Sequence, residues 1–141
     1  EINNIVIGGN YGWPISSYGT HYDGYEKFIN VAPLYKSHEK FGFIEPIKHF
    51  TPSIGISEII EIPRSFLNQK KRYFLLTSLS GKVGLSIFII SFDDSFQKVI
   101  TLRKIIIGDR VRDVAYDSAN NVFYLILELS NSLGVLSKLE N

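Results

Sequence analysis

The sequence contains no cysteine, which excludes disulfide bonds and thiolate metal sites. It also lacks an excess of charge of either sign, because 15 Lys and Arg face 14 Asp and Glu. The densest basic cluster, Lys70-Lys71-Arg72, precedes an apolar run and is typical of a solvated turn. Since no basic face with interleaved aromatic residues is present, nucleic-acid binding is not expected.

Long apolar runs are missing as well. The strongest runs, 85–92 and Val122–Leu127, have the length of a β-strand, whereas a membrane-spanning helix needs about 20 apolar residues. We therefore expect no membrane span. The sequence begins at Glu1, with no Met and no signal-like segment, so we expect a processed, truncated or fragmentary chain.

Helix signals are scarce, and the chain is predicted to be all-β. No window of a dozen residues carries apolar residues at helical spacing together with capping signals. Short runs of Ile, Val, Phe, Tyr and Leu are instead broken by Gly, Asn, Asp and Ser, which is typical of strands and turns. The predicted strands are approximately 44–49, 57–62, 72–78, 86–92, 99–106, 112–116, 122–128 and 135–139.

An internal repeat suggests the architecture. A shift of 50 residues places the segment 72–89 on 122–139, with Gly84 on Gly134. The strands before these segments are related at an offset near 55. A repeat of about 50 residues that holds four strands has the size of a β-propeller blade. The alternative is a small β-sandwich or β-meander that is complete in itself.

The repeat predicts about two and a half four-stranded antiparallel blades. Residues 1–43 are expected to form a long loop region that is ordered by packing of its aromatic residues. Residues 44–107 would hold an outer strand and one complete blade, and residues 108–141 would hold three strands of the last blade. Such a piece leaves apolar faces and an open edge, which invite association.

Several motifs, taken in order, resemble the soluble quinoprotein glucose/sorbosone dehydrogenase family, the PQQ-dependent aldose sugar dehydrogenases. The resemblance covers nearly the whole chain, as the C-terminal part of a longer protein. The motifs are Gly9-Asn10-Tyr11-Gly12-Trp13-Pro14, the segment 50–57, Leu76-Thr77-Ser78-Leu79, Ile87-Phe88-Ile89-Ile90 and Arg110-Val111-Arg112-Asp113-Val114.

This resemblance implies a six-bladed propeller that binds pyrroloquinoline quinone (PQQ) with calcium in its central cavity. Such enzymes oxidise the C1 hydroxyl of an aldose sugar to a lactone, with a His as general base and hydride transfer to the quinone. The base and the calcium ligands lie in the first part of the family's chain. No catalytic residue and no metal ligand are therefore expected here.

The resemblance also implies partners and a location. The remaining blades of the full-length chain would pack against this piece, and the protein would be periplasmic or secreted. The alternative function is a non-catalytic propeller of the same family that binds carbohydrate or protein.

Arg110 and Arg112 are the main candidates for cofactor binding. They alternate along a predicted strand and so share one face, with Asp113 on the other. Two guanidinium groups on one face repel unless they share an anion or acidic partners. The resemblance implies that both arginines bind the carboxylates of the quinone, a role that suits guanidinium. The alternatives are solvated arginines or a salt bridge to Asp109 or Asp113.

The other candidates follow from positions in the family. Phe50 stands where catalytic members tend to carry a Trp over the cofactor, and its alternative is an ordinary core or loop aromatic. Ser80 stands where they often carry a Lys or Arg, for which Lys82 could substitute. Both departures favour the non-catalytic alternative. Tyr11 and Trp13 would line the substrate cavity, or pin the loop by packing.

The three histidines and one acidic pair are expected to have structural roles. His21, His38 and His49 lack the spacing of metal ligands, so each is predicted to be a surface or packing residue. Asp93 and Asp94 lie between predicted strands, and a turn accounts for them.

Overall fold

Runs of β-branched and aromatic residues form the strands of the computed structural model, which describes residues 1–21, 29–80 and 85–138. The strands are β1 (Ile56–Ile62), β2 (Tyr73–Ser78), β3 (Ser86–Phe92), β4 (Val99–Ile106), β5 (Val111–Asp117), β6 (Val122–Leu127) and β7 (Ser132–Leu136). The all-β prediction is confirmed.

Helical structure is limited to short turns in the described residues. A 3-10 turn spans Glu39–Phe41, and α1 spans Arg64–Leu67 between β1 and β2. No helix in those ranges combines the length and the apolar character needed to cross a membrane.

The strands form two antiparallel sheets, each of which follows the order of the chain. The first sheet has the order β1-β2-β3-β4, and the second has the order β5-β6-β7. Both sheets carry a register irregularity near the start of their first strand, between Ile56 and Ile59 in β1 and between Val111 and Asp113 in β5. The two sheets are therefore similar in connectivity and in the position of a β-bulge.

The prediction of a strand at 44–49 was wrong, because the structure has no strand in this segment. Among the described residues, its ladder contact is limited to an isolated bridge between Ile2 and Lys48, in which the Ile2 N–H donates to the Lys48 carbonyl at 2.7 Å. Pro46 lies in the middle of the segment and has no N–H to donate, which explains why no longer ladder forms.

The predicted 50-residue offset relates the second strands of the two sheets correctly, but it does not relate the third strands. Leu75 in β2 and Leu125 in β6 are both buried and are 50 residues apart. Leu75 pairs with Ile89, however, while Leu125 pairs with Gly134, so the third strands are offset by 45 residues. The β6–β7 connection is shorter, and β7 begins at Ser132, before the strand predicted at 135–139. Gly84 lies outside the described residues.

The two sheets pack face to face around one apolar core. Leu75 and Ile87 from the first sheet meet Phe123 and Leu125 from the second. Phe66 of α1 closes this core, with its ring 4.9 Å from the Phe123 ring in an edge-on arrangement. The core fixes the orientation of β5 relative to β2, and therefore the position of the residues that precede β5.

The opposite face of the first sheet is covered by the N-terminal region. Leu76, Phe88 and Ile90 on this face form a second apolar cluster with Ile2 and Ile54. Alternate residues of β2 and β3 thus enter two different cores, as the period of a strand requires. The N-terminal region is held against the first sheet by apolar burial as well as by hydrogen bonds.

Stacked aromatic rings order part of the N-terminal region. The Tyr18 ring lies between those of His38 and His49, with centroids 5.3 and 4.1 Å away. The Tyr18 hydroxyl donates to Glu45 at 2.8 Å, and this bond raises the pKa of Tyr18 to about 12. His38 is fully buried, and its Nδ1 lies 3.0 Å from Ser16 Oγ. His38 therefore packs in the interior of the loop region, whereas His49 stacks on Tyr18 from an exposed position.

Candidate functional site

A cavity of about 670 Å³ lies between the N-terminal region and one end of the sheets. Its wall combines the loops around residues 13–21 and 50–55 with the end of β2 and the residue that precedes β5. Three predicted site residues line it, namely Arg110, Phe50 and Trp13, and so does Ser80. Residues that are far apart in the chain are thus brought to one cavity.

Two other predicted site residues, Arg112 and Tyr11, lie elsewhere. Arg112 is not part of the cavity lining. Tyr11 is also outside it, and its hydroxyl accepts from the Val6 N–H at 2.7 Å and donates to the Asn4 carbonyl at 3.0 Å. Tyr11 therefore closes a local loop. Lys82 lies outside the described residues.

Trp13 and Phe50 present aromatic surface to the cavity in different ways. Trp13 is 75% exposed, so most of its ring is not packed against the loop. Phe50 is partly buried, with its ring 5.9 Å from that of Phe88 and with Lys48 Nζ 5.5 Å from its centroid. The Phe50 ring is thus already held by contacts with Phe88 and Lys48. A fixed aromatic ring suits contact with a flat ligand.

Ser80 supplies a neutral part of the wall. Its backbone N–H donates to the Ile54 carbonyl at 3.0 Å, which ties the end of β2 to the loop that follows Phe50. A hydroxyl at this position contributes no charge, so Arg110 is the basic residue of the described cavity lining.

The packing of β5 directs both arginines away from the core. Val111 lies between them in the chain and is fully buried between the two sheets. Because side chains alternate along a strand, Arg110 and Arg112 lie on the side opposite Val111. After the bulge the chain returns to the core at Val114, while Asp113 is exposed. Strict alternation would have placed Asp113 in the core, so the bulge explains the difference.

Glu128 is the acidic partner of both arginines. Its Oε1 accepts from Arg110 Nη1 at 2.9 Å, and its Oε2 forms an ion pair with Arg112 Nε. The sequence had suggested Asp109 or Asp113 as the salt-bridge partner, but the ion pairs are formed with Glu128 instead. Glu128 directly follows β6, whose pairing with β5 sets it beside Arg110. Only the register of that hairpin could have identified it.

Asp109 fixes the backbone around this group. The side chain is 6% exposed and accepts from the N–H groups of Arg110, Leu129 and Ser130 at 2.6, 2.8 and 3.0 Å. The Ser130 hydroxyl and these N–H donors hold the pKa of Asp109 below its ordinary value. The carboxylate therefore stays ionised and joins the start of β5 to the turn that contains Glu128.

The charge of the arginine group permits it to bind an anion. Two guanidinium groups and the carboxylate of Glu128 carry one positive charge together, while the Asp109 carboxylate is engaged by backbone N–H groups and Glu1 also lines the cavity. Arg110 Nε is buried, and it has no hydrogen-bond partner among the described residues. The Arg110 side chain as a whole is 35% exposed, so a carboxylate or similar anion that enters the cavity can accept from an accessible N–H of its guanidinium.

The described residues do not form a metal site by themselves. No group of three or more His, Asp or Glu residues within 1–21, 29–80 and 85–138 is placed to hold a metal ion. His21 lines the cavity, but its Nε2 lies 2.7 Å from the Ala32 carbonyl. The chemistry that the described cavity supports is therefore anion binding with aromatic contact.

Two packed antiparallel sheets, with a cavity beside them that is lined by an arginine and aromatic rings, define the class of this all-β protein. A family model described as Glucose / Sorbosone dehydrogenase matches residues 1–136. The chain belongs to the glucose/sorbosone dehydrogenase family, and the predicted membership is confirmed. Comparisons with curated proteins and with solved structures found no match.

Proposed function

We propose that this chain is part of a PQQ-dependent sugar dehydrogenase that oxidises the C1 hydroxyl of an aldose to a lactone. Family membership supports a sugar dehydrogenase in general terms. The observation that carries the finer assignment is the position of Arg110, which lines the same cavity as Phe50 and has a side chain that is 35% exposed.

The described residues fit one end of the quinone. PQQ is flat and carries three carboxylates, and when bound it supplies the hydride acceptor. Arg110 binds one carboxylate through a charge-assisted hydrogen bond. Phe50 would supply an aromatic contact to the quinone, and Trp13, which also lines the cavity, would contact the sugar. Calcium ligands and the general base come from outside the described residues.

The two sheets are blades of a six-bladed propeller in this proposal. Their face-to-face packing and the bulge that they share support two copies of one structural unit. Ile126, Leu133 and Val135 of the second sheet are exposed, and a neighbouring blade would cover them. The remaining blades of the full-length chain are thus the partner that this surface would contact. In this proposal the protein is periplasmic or secreted, as the family resemblance implies.

The test uses the full-length protein with Arg110→Ala and a matched control, Arg103→Ala. Arg103 is exposed on β4 and is not part of the cavity lining. Each protein is titrated with PQQ in the presence of calcium and then assayed with a panel of aldoses and a dye acceptor. Arg110→Ala should weaken PQQ binding by about 10- to 100-fold, as expected for loss of a charged hydrogen bond.

Arg103→Ala should bind PQQ as the wild type does. Absence of dye reduction by the wild type across the whole sugar panel would defeat the assignment. So would equal loss of PQQ affinity in the two variants, because the loss would then not depend on the cavity.

A second candidate function is a non-catalytic member of the family that binds carbohydrate or protein. Two observations favour it: Ser80 is neutral, and Glu128 already compensates part of the arginine charge. Calorimetry distinguishes the two. A sugar that binds to a wild-type protein with no affinity for PQQ would support this second function.

A further inference from the structure

The end of the first sheet that lies opposite the cavity carries a group of exposed cations. Gly55 before β1 and Ser80 after β2 line the cavity. The β1–β2 connection and the β3–β4 turn therefore lie at the other end of the strands, about 20 Å away. Four exposed basic residues lie in these two segments and form what we call the basic end: Arg64, Lys70, Lys71 and Lys98. We infer that the basic end binds an anionic phospholipid surface.

Arg72 brings the two segments of the basic end together. Its guanidinium donates to both carboxylate oxygens of Glu61, at 2.8 and 2.6 Å. The same guanidinium lies 4.9 Å from the centroid of the Phe96 ring, which belongs to the β3–β4 turn. The two lysines that directly precede Arg72 are thus held beside that turn. Arg72 itself is neutralised by Glu61 and serves as the brace.

The lysines of the basic end have no anionic partner of their own. Within residues 1–21, 29–80 and 85–138, the side chains of Lys70, Lys71 and Lys98 form no ion pair. Asp93 lies in the same turn as Lys98, but its carboxylate accepts from the backbone N–H groups of Gln97 and Lys98 at 2.8 and 2.7 Å. The three ammonium groups are therefore available to an external anion.

The charge of the chain is distributed unevenly. Two carboxylates of the β3–β4 turn, Asp93 and Asp94, stand against the four cations, which leaves a charge of +2 at the basic end. Arg72 and Glu61 cancel each other. Since the whole chain carries +1, the remainder of the chain has a net negative charge. An anionic surface would thus attract the basic end, and the cavity would face away from that surface.

The residues between the cations select the kind of partner. The exposed neighbours are polar, and no large apolar side chain of 63–72 or 93–98, both fully described, is exposed: the neighbours include Asn68, Gln69, Ser95 and Gln97. A protein interface needs apolar or aromatic anchors, and a single-stranded nucleic acid needs exposed rings on which its bases stack. Lysines on a polar surface instead suit phosphate headgroups, which require charge and no shaped pocket.

Neighbouring blades would leave the basic end uncovered. In the proposed propeller the blades pack through the faces of their sheets, whereas the turns at the strand ends lie on the outer surface of the ring. The basic end consists of such turns, so it stays accessible in the full-length chain. Lipid binding also requires neither the quinone nor a sugar, and it can therefore be measured independently of the sugar-dehydrogenase assignment.

The test is co-sedimentation of the full-length protein with two kinds of vesicle, phosphatidylcholine alone and phosphatidylcholine mixed with phosphatidylglycerol. At about 0.1 M salt the wild type should bind the mixed vesicles only. Binding should disappear at about 1 M salt, where the Debye length falls to about 3 Å. Binding to phosphatidylcholine alone, or binding that survives high salt, would overturn the inference, because apolar insertion would then hold the protein.

A pair of matched variants locates the binding surface. Lys70→Gln/Lys71→Gln removes two cations of the basic end, and Lys40→Gln/Arg103→Gln removes two exposed cations elsewhere. A lysine near an anionic surface contributes about a fivefold gain in affinity, so the first variant should bind about 30-fold more weakly. The control should change by less than about twofold, because charges farther away than the Debye length are screened. Thermal unfolding checks that both variants fold.

The remaining outcomes also decide the question. Equal losses in the two variants would overturn the inference, because net charge rather than the basic end would then account for binding. So would a wild type that fails to bind the mixed vesicles, or one that binds a single-stranded oligonucleotide but no vesicle. If the vesicle results are as expected and the protein does not bind PQQ, the basic end stands and the sugar-dehydrogenase assignment fails.

Discussion

Gly12 connects the N-terminal region to Trp13 in the cavity wall. Its φ is +87°, a conformation that glycine adopts without strain. A Cβ at this position would lie 3.0 Å from Phe43 Cδ2 and 3.1 Å from Ser16 Cβ. A substitution would therefore incur both backbone strain and a steric clash.

Substitution of Gly8 would incur backbone strain without a steric clash, so it separates the two effects. Its φ is +73°, but a Cβ there would meet no atom within 4 Å. We expect Gly8→Ala to lower the free energy of unfolding by about 1 kcal/mol. Gly12→Ala should lower it by at least about 2 kcal/mol, because the clash adds to the strain. Denaturant unfolding of both variants is the measurement, and equal losses would show that Phe43 and Ser16 leave room for a methyl group.

Three of the six site residues predicted from the sequence line the cavity, and the acidic partner of the arginines was not predicted. Arg110, Phe50 and Trp13 were located by motif order, and the structure brings them to one cavity. Glu128 carries no motif signal that marks it as the partner of the arginines. Its role depends on the register of a hairpin, which one-residue differences in turn length change.

At the scale of the strands, residue composition correctly predicted where most strands occur. The alternation of apolar and polar residues was a poor guide to strand boundaries and to which face a side chain occupies. β3 is buried on both faces, and its continuous apolar run made it easy to recognise. β7 is mostly exposed and lacks strict alternation, so its start was predicted three residues late. The bulge in β5 likewise broke the alternation that was expected to place Asp113.

The packing of the second sheet against the first depends on Phe123. This side chain is fully buried, and its ring lies 4.9 Å from those of Phe66 and Tyr116. Phe123→Ala should lower the free energy of unfolding by about 3–5 kcal/mol, the usual cost of a large cavity.

Phe41→Ala is the matched control for this prediction. Phe41 is 38% exposed and stacks on Tyr35 away from the two sheets. Its loss should cost only about 1 kcal/mol. Urea unfolding followed by circular dichroism compares the two variants. A Phe123→Ala loss no larger than that of Phe41→Ala would mean that the sheets do not share the core described above.

For the whole molecule, fold class was predictable and tertiary arrangement was not. Strand propensity is local, so an all-β chain could be inferred from composition and turn residues alone. The cavity instead depends on how a long N-terminal region folds over one face of the first sheet. That arrangement relies on contacts such as Ile2 with Ile54, and the stack around Tyr18, which no local pattern encodes.

The apolar faces of the molecule agree with the open surfaces expected of a propeller piece. Exposed apolar side chains occur on both sheets, including Ile100, Leu102 and Ile106 of β4 and Ile126 and Val135 of the second sheet. Patches of this kind are usually covered by another surface. In the proposed propeller, the neighbouring blades of the full-length chain cover them.

The central claim is that Arg110 binds a carboxylate of the quinone in this cavity. A crystal structure of the full-length protein with PQQ and calcium tests it most directly. We predict a PQQ carboxylate within about 3 Å of the Arg110 guanidinium, with Phe50 against the ring and Arg112 still paired with Glu128. A quinone bound outside this cavity, or inside it without contact to Arg110, would contradict the account.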